Sequence, residues 1–219
     1  MTRGRFITVE GGEGVGKSTQ IATIRDAIER AGLQTVVTRE PGGTARAEAI
    51  RELLLQTTAE PMPQWCELLL MFAARATHVA NVIEPALARG AWVVCDRFSD
   101  ATYAYQGGGR GVSLQDIAAL ETLVLRGLKP DLTLLLDAPV ELALKRAHAR
   151  NGSAEPDRFE REQLEFFARV QRSYAALAAA NPERIRLIDS STDVDTVRVR
   201  VRAAMETFIN TVKSSTAHE

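Results

Sequence analysis

The chain has 219 residues, 45% of them hydrophobic and 25% charged, which is ordinary for a globular protein. Its length suits one domain with a full hydrophobic core, and its formal net charge of −1 argues against a dedicated nucleic-acid binder. No signal peptide and no apolar run of roughly 18 residues are visible, so we expect a cytoplasmic protein that does not span a membrane.

The N-terminal half alternates between strand-like and helix-like segments. After a short β-rich run, Ile21, Ile24 and Ile28 recur at helical spacing, and Gly32 marks a helix end. The helix predicted at 65–90 is apolar on more than one side, which indicates burial against the core, a ligand and a partner chain. In chain order the pattern predicts a strand at 5–10, a helix at 17–32, a strand at 35–39, helices at 45–56 and 65–90, and a strand at 91–96.

The C-terminal half continues this alternation. Ser113 is of a residue type that caps helices, and Gly127 is typical of a helix end. Asp157 and Glu160 have the spacing of a helix start, which would place Arg158 in the first turn. The pattern predicts a helix at 113–127, a strand at 131–137, a helix from Pro139, a helix at 158–180 and a strand at 184–189.

The tail after residue 190 fits two patterns. Alternation over 197–202 is typical of a strand, whereas Val194, Val197, Val201 and Met205 form a helical stripe over a longer window. We predict a helix, with Thr192 and Asp195 as a capping pair.

Strands that alternate with helices imply a mostly parallel sheet covered on both faces. The predicted fold is therefore a single α/β domain over 1–219, with a five-stranded parallel sheet between two helical layers. Cys66 and Cys95 are expected to be buried thiols in a reducing cytosol.

The stretch "GGEGVGKS" at 11–18 has the form G-x-x-x-x-G-K-[ST] and lies between a predicted strand and a predicted helix. This is the context of a P-loop, in which backbone N–H groups and the helix N-terminus hold phosphate oxygens. Lys17 would contact the β- and γ-phosphates of ATP and Ser18 would contact Mg²⁺. The predicted ATP-binding residues are Gly11, Gly12, Glu13, Gly14, Val15, Gly16, Lys17, Ser18 and Thr19.

Two arginines follow predicted strands, where α/β sheets bind ligands. Arg39 opens "REPGGT" and Arg97 lies in "DRF", so both are expected to face the P-loop and hold a second anionic group. Asp96 is expected to orient Mg²⁺, its waters or Arg97.

A P-loop alone leaves several classes open. The guanine-reading sequence N-K-x-D does not occur, and "LLLD" at 134–137 is followed by "APVE", not by the D-x-x-G of a switch loop. A deoxynucleoside kinase and a non-catalytic nucleotide switch remain as alternatives to a monophosphate kinase. A nucleoside lacks the phosphate that Arg39 and Arg97 would neutralise.

Across nearly its whole length the chain resembles thymidylate kinases of the bacterial type. The resemblance implies a P-loop nucleoside monophosphate kinase fold, a homodimer, and Mg²⁺-dependent transfer of the γ-phosphoryl of ATP to dTMP, with no nucleic-acid or membrane partner. The supporting stretches are "EGGEGVGKST", "REPGGT", "LLLMFAAR", "DRFSDATYAYQGGGRG", "PDLTLLLD" and "LKRAHARNGSAEPDRFE".

The resemblance also implies roles for single residues in the dTMP site. Phe72 matches the aromatic that stacks on thymine, and Arg75 matches the arginine that bonds the base edge. Tyr105 matches the tyrosine that crowds the sugar C2′. Further matches are Glu13 near the sugar and phosphate, Arg39 and Arg97 at the dTMP phosphate, and Thr102 and Gln106 at the base.

The segment "KRAHARNGSAEPDRFER" gathers basic side chains around helix-breaking residues. Part of the family has an arginine inside the P-loop, at the position that Gly14 occupies here. The resemblance therefore implies that a short mobile lid, about 146–160, supplies positive charge over the transferred phosphoryl. Arg150 and Arg158 are predicted to be its catalytic arginines, whereas a structural and a catalytic role are equally open for Arg146.

Overall fold

The computed structural model describes residues 3–151, 158–159 and 162–216. Five parallel strands form one sheet, as predicted: Phe6–Glu10 (β1), Thr35–Arg39 (β2), Trp92–Asp96 (β3), Leu132–Asp137 (β4) and Ile185–Asp189 (β5). Their order across the sheet is β2-β3-β1-β4-β5. Because β1 lies between β3 and β4, the strand order reverses beside it, and the loop after β1 opens at this switch point.

Helices cover both faces of the sheet. Most predicted helices are confirmed, with ends that differ by a few residues. The helical segments are Lys17–Arg30 (α1), Ala45–Leu55 (α2), Gln64–His78 (α3), the π-helix Val79–Ile83, Glu84–Ala88 (α4), Ser99–Thr102 (α5), the π-helix Tyr103–Gly109, Leu114–Leu125 (α6), Val140–Asn151 (α7), Leu164–Ala180 (α8) and Val194–Thr216 (α9).

Alternate residues of the central strands supply the two halves of the core. Ile7 and Val94 pack with α1 and α9, whereas Phe6 and Val93 pack on the opposite face with the helices around Ile83. Central strands are buried on both faces, so they read as continuous apolar runs, while the edge strands β2 and β5 are partly exposed.

The structure corrects two local predictions and adds two helical segments that the pattern did not predict. Helix α8 begins at Leu164 and not at 158, and Arg158 lies in a turn. The N-terminus of α9 is capped by Asp193, whose carboxylate accepts from Asp195 N and Thr196 N, so the predicted Thr192–Asp195 pair is not the cap. The added segments are α5, which has only four residues, and the π-helix after it, which ends in three glycines that obscure any helical period.

The stretch Gln64–Ala88 is long and apolar enough to cross a membrane by length and composition alone. Such a match is weak support for a membrane span, because core helices of soluble proteins meet the same criterion. Its residues Leu68 and Ile83 are fully buried within two of the core clusters.

The two cysteines differ in their surroundings. Cys95 lies buried in β3, as expected, but Cys66 is exposed in the first turn of α3. The prediction of two buried thiols is therefore wrong for Cys66, because α3 turns that residue away from its buried neighbour Glu67.

Candidate active site

The loop after β1 forms a phosphate cradle. Gly11, Gly14 and Gly16 have positive φ values of 136°, 71° and 95°, in a backbone region that residues other than glycine rarely adopt. Gly16 is the N-cap of α1, so the positive end of this helix faces the open cavity beside the loop. Ser18 and Thr19 line that cavity.

The side chain of Lys17 folds back over the same loop. Its Nζ donates to Gly12 O at 2.7 Å and to Gly11 O at 3.2 Å. Burial, and next the positive charge of Arg97, lower the pKa of Lys17 to about 8. The ammonium group is thus held at the cradle by neutral carbonyls, which anionic phosphate oxygens can replace.

Two cavities meet at the carboxyl end of the sheet. One is the P-loop cavity, and the other, which we call the acceptor pocket, lies between α2, α3 and the helices after β3. Arg51 and Arg97 line both cavities, together with Glu13 and Glu40. Two guanidinium groups and two carboxylates therefore stand where a group would pass from one cavity to the other. Arg39 also lines the P-loop cavity, where it pairs with Glu48 at 2.8 Å.

Asp96 contributes a carboxylate to the P-loop cavity. Its Oδ1 is buried and has no hydrogen-bond partner among the described residues. A buried polar atom without a partner is costly, which points to a group that binds there with substrate. Ser18 faces the same cavity, so the hydroxyl and carboxylate donors present fit a hard cation such as Mg²⁺.

A buried ion pair holds Arg75 at the acceptor pocket. Its Nε donates to Glu40 Oε2 at 2.7 Å and its Nη2 to Phe98 O at 3.0 Å. Glu40 Oε1 also contacts His78 Nδ1 at 2.9 Å. The remaining Arg75 Nη1 is buried with no partner in the described part of the chain, so it can donate to a ligand in the pocket.

Three further predicted residues line this pocket: Thr102, Tyr105 and Gln106. Tyr105 accepts a hydrogen bond from Arg97 Nη2 at 3.0 Å, and burial raises its pKa. Gln106 Nε2 donates to Glu67 at 2.7 Å, which fixes the orientation of this amide.

Phe72 does not line the acceptor pocket, so its surroundings argue against the predicted stacking role. It is buried in the cluster of Leu68 and Ile117, with the Arg75 guanidinium 4.9 Å from its ring centre. The pocket wall is formed instead by Met71, four residues before Arg75. Residues spaced by three and by four share a helix face, so spacing alone did not distinguish the two.

Met71 and Phe72 should therefore respond differently to truncation. We expect Met71→Ala to raise the KM for the acceptor about two- to tenfold, as a lost thioether–ring contact would. Phe72→Ala should instead destabilise the fold by about 3–5 kcal/mol because it leaves a cavity in the core. Thermal unfolding and steady-state kinetics of both variants separate the effects. A large KM change without loss of stability in Phe72→Ala would restore the stacking role.

Two arginines of the predicted lid segment make contacts other than those that the prediction gave them. Arg158 donates from Nε to Leu54 O at 2.9 Å and pairs with Glu67, so it faces α2 and α3 and does not line the P-loop cavity. Arg146 lines that cavity, but its guanidinium donates to backbone carbonyls at 190–192. The side chain of Arg150 lies outside the described residues, as do Asp157, Glu160 and Arg161.

Gly14 does not accommodate a side chain. A Cβ there would lie 1.9 Å from Ala143 O of α7, and its φ is 71°. The P-loop of this chain therefore cannot carry an arginine at that position unless α7 moves, and positive charge has to come from other elements.

Among the site residues that sequence reasoning missed are Glu40, Arg51 and Met71. Glu40 stands next to Arg39 in a quoted motif, and Met71 stands next to Phe72. Arg51 had no such signal, because nothing in the sequence shows that α2 faces the cavity.

A P-loop that joins an arginine-lined acceptor pocket, on a five-stranded parallel sheet, defines the class of P-loop nucleotide kinases. The family model described as thymidylate kinase matches residues 9–201. The chain therefore belongs to the thymidylate kinase family.

Relatives agree over nearly the whole chain. The thymidylate kinase of Chromohalobacter salexigens is 59% identical over 93% of this chain and 95% of its own length. That of Methylococcus capsulatus is 54% identical, over 95% of this chain and 98% of the relative. A crystal structure of thymidylate kinase from Ehrlichia chaffeensis matches with a TM-score of 0.75 and 31% identity, covering 93% of this chain and 99% of that one.

Proposed function

We propose that this chain transfers the γ-phosphoryl group of ATP to dTMP and forms dTDP. The observation that carries the proposal is the junction of the two cavities, where Arg97 and Arg51 belong to both walls. ATP occupies the P-loop, with its γ-phosphate at this junction. The phosphate of dTMP enters from the acceptor pocket and meets it there.

The pocket chemistry suits a thymine nucleotide. Arg75 Nη1, buried and without a described partner, would donate to a base carbonyl oxygen. Half-buried Met71 and Leu55 supply apolar contact for a ring. Arg39 and Arg97 would neutralise the monophosphate, which a nucleoside lacks, so the deoxynucleoside kinase alternative is disfavoured.

The protein supplies positioning and charge to the transfer, because phosphoryl transfer needs little covalent help. Lys17 and the backbone N–H groups of the P-loop would hold the β- and γ-phosphates. Arg97 would keep the attacking phosphate oxygen of dTMP in line. Mg²⁺, when bound, would neutralise charge on the ATP phosphates, with Ser18 and Asp96 as the residues that hold it or its waters.

An acceptor panel tests this function. With ATP and Mg²⁺, ADP release is measured in a coupled assay for dTMP, dUMP, dCMP, thymidine and no acceptor. We expect dTMP to have the highest kcat/KM, thymidine to be inactive, and turnover to stop when Mg²⁺ is chelated. Comparable ADP release without acceptor would instead support a nucleotide switch or another ATPase.

Tyr105 is expected to exclude the ribose 2′-hydroxyl by bulk. Its ring packs edge-on against Phe159, Phe166 and Tyr174, which holds it in place at the pocket wall. Tyr105→Phe keeps the ring and should retain discrimination against ribothymidine monophosphate, whereas Tyr105→Ala should relax it by about tenfold or more. The ratio of kcat/KM values for the two monophosphates measures this. Equal rejection by both variants would contradict the steric explanation.

We further propose a cytoplasmic homodimer with no nucleic-acid or membrane partner. Helices α3 and α6 pack on each other, and both expose apolar side chains: Leu69 is 55% and Leu123 is 69% exposed. A second copy of this chain would cover these exposed apolar side chains in a homodimer. Sedimentation equilibrium gives the mass in solution, and a monomer at micromolar concentration would contradict the dimer.

A further inference from the structure

Glu10 ends β1 immediately before the P-loop and is fully buried. Its two carboxylate oxygens have different donors. Oε1 accepts from the backbone N–H of Phe98 at 2.7 Å, and Oε2 accepts from the Tyr174 hydroxyl at 2.8 Å. A fully buried acid at this place needs a reason, because ionised carboxylates are costly to bury.

Both donors lead to Arg97. This residue has φ 66°, and Arg126 is the one other non-glycine residue with positive φ in the described ranges. Such a backbone conformation persists only where its surroundings hold it. On one side Arg97 N donates to Val9 O at 3.0 Å, and on the other side Glu10 holds the N–H of the next residue.

The guanidinium of Arg97 is fixed by the same network. Its Nη1 donates to Gly11 O at 2.9 Å and to the Tyr174 hydroxyl at 3.3 Å, while that hydroxyl donates to Glu10. Burial, and next the negative charge of Glu10, raise the pKa of Tyr174, so its proton stays available for this bond. Glu10 thus constrains both the backbone and, through Tyr174, the side chain of Arg97.

We propose that Glu10 is a positioning residue for the reaction: its carboxylate, linked through Tyr174, holds Arg97 at the junction between the P-loop cavity and the acceptor pocket. The inference rests on the proposed function, because Arg97 is the group that would meet the phosphate of dTMP. Glu10 itself lines neither of these two cavities and would touch no substrate.

This arrangement requires an ionised carboxylate. Each oxygen accepts from a fixed donor, and protonation would place a hydrogen on one of the two acceptors. Burial and the charge of Asp100 raise the pKa of Glu10 to about 7, against the opposing effect of Arg97. The titratable or charged groups that face Glu10 are Arg97, Asp100, Tyr174, Lys17, Cys95, Tyr105 and Arg184.

Activity should therefore fall as Glu10 gains its proton. In the wild type we expect log kcat/KM for dTMP to decline below about pH 7, in addition to the decline that the substrate's own phosphate causes near pH 6. Glu10→Gln removes the titration of this residue, so only the decline in log kcat/KM that the substrate's phosphate causes should remain.

The test compares Glu10→Gln and Tyr174→Phe with Glu121→Gln and Tyr103→Phe. The control residues form a hydrogen bond of the same kind, in which the Tyr103 hydroxyl donates to Glu121 Oε2 at 2.7 Å. We expect Glu10→Gln to lower kcat/KM for dTMP about 10- to 100-fold and Tyr174→Phe about 3- to 10-fold, with the KM for ATP changed less than twofold. Both controls should stay within twofold of the wild type.

A double-mutant cycle shows whether Glu10 acts through Arg97. In an Arg97→Ala background, Glu10→Gln should change the dissociation constant for dTMP less than twofold, measured by calorimetry. If the fold-changes of Glu10→Gln and Arg97→Ala multiply in the double variant, the two residues act independently, and the positioning role is overturned. If Glu10→Gln does not fold, the cycle is measured with Tyr174→Phe.

The pH dependence of stability is a second readout, and it should run opposite to the pH dependence of activity. The pKa of Glu10 is raised on folding, so its favourable contribution is present below about pH 4.5 and is lost as pH rises through about 7. Glu10→Gln stays neutral, and its Tm should change less than that of the wild type between pH 5 and pH 8.

Wild-type kinetics in both site variants would overturn the inference while leaving the proposed function intact. A wild-type protein that does not phosphorylate dTMP would overturn the proposed function itself.

Discussion

Replacing Lys17 by Met is expected to lower kcat about 10²–10³-fold, the cost of removing one donor aimed at developing charge. Met keeps the length and the apolar stem of the side chain but removes the ammonium group. Since Nζ already lies over the cradle, within 2.7 Å of Gly12 O, little reorganisation separates it from the phosphates of ATP. The effect should therefore fall on kcat more than on the KM for dTMP, which binds in the other cavity.

Lys129→Met is the matched control, because Lys129 is exposed in the loop before β4. Its kcat should equal that of the wild type. A Lys17→Met enzyme with kcat within threefold of the wild type would show that the P-loop does not carry the transferred group.

Replacing Arg97 by Ala is expected to lower kcat/KM for dTMP by about 10²–10³-fold, with a smaller change in the KM for ATP. Arg97 lines both cavities, and its guanidinium places a positive charge at their junction, where phosphate oxygens can replace some of its present acceptors. Arg97→Lys keeps the charge but loses the fork, so it should recover only a small part of the activity.

Arg126→Ala makes a matched control for the backbone. Arg126 also has a positive φ, 49°, but it is exposed at the end of α6. The same replacement there carries the same backbone strain without touching the site. Equal losses of kcat/KM in the two variants would attribute the effect to the backbone and not to the guanidinium group.

The strands and the P-loop could be predicted because their signals are local. Central strands are buried on both faces and read as apolar runs, and the glycine spacing of the loop reflects backbone conformations that the loop itself requires. Arg39 and Arg97 could be placed near the loop because parallel strands bring their carboxyl ends to one edge.

The choice between Met71 and Phe72 could not be made from spacing. Both lie on the face of α3 that carries Arg75, and which of them meets the ligand depends on how α6 packs against α3. Ile117 of α6 and Phe72 share one cluster, which leaves Met71 for the pocket wall. Tertiary packing of this kind is not encoded in the period of a single helix.

The sequence could not show which charges of the predicted lid have partners elsewhere in the fold. Glu67 is almost fully buried and accepts from Gln106 and Arg110 as well as pairing with Arg158. Three donors offset the cost of burying one carboxylate, and this network binds Arg158 at the acceptor side. The basic run therefore includes two arginines, Arg146 and Arg158, whose guanidinium groups bind acceptors within the fold in this structure.

Transfer of label from [γ-³²P]ATP tests the central claim most directly, because it follows the phosphoryl group itself. The protein is incubated with labelled ATP and Mg²⁺ and with either dTMP or thymidine, and the products are separated by chromatography. We predict label in dTDP with dTMP, no labelled nucleotide from thymidine, and loss of dTDP labelling in Arg97→Ala. Label that appears only as inorganic phosphate, or thymidine that accepts it as readily as dTMP, would contradict the account.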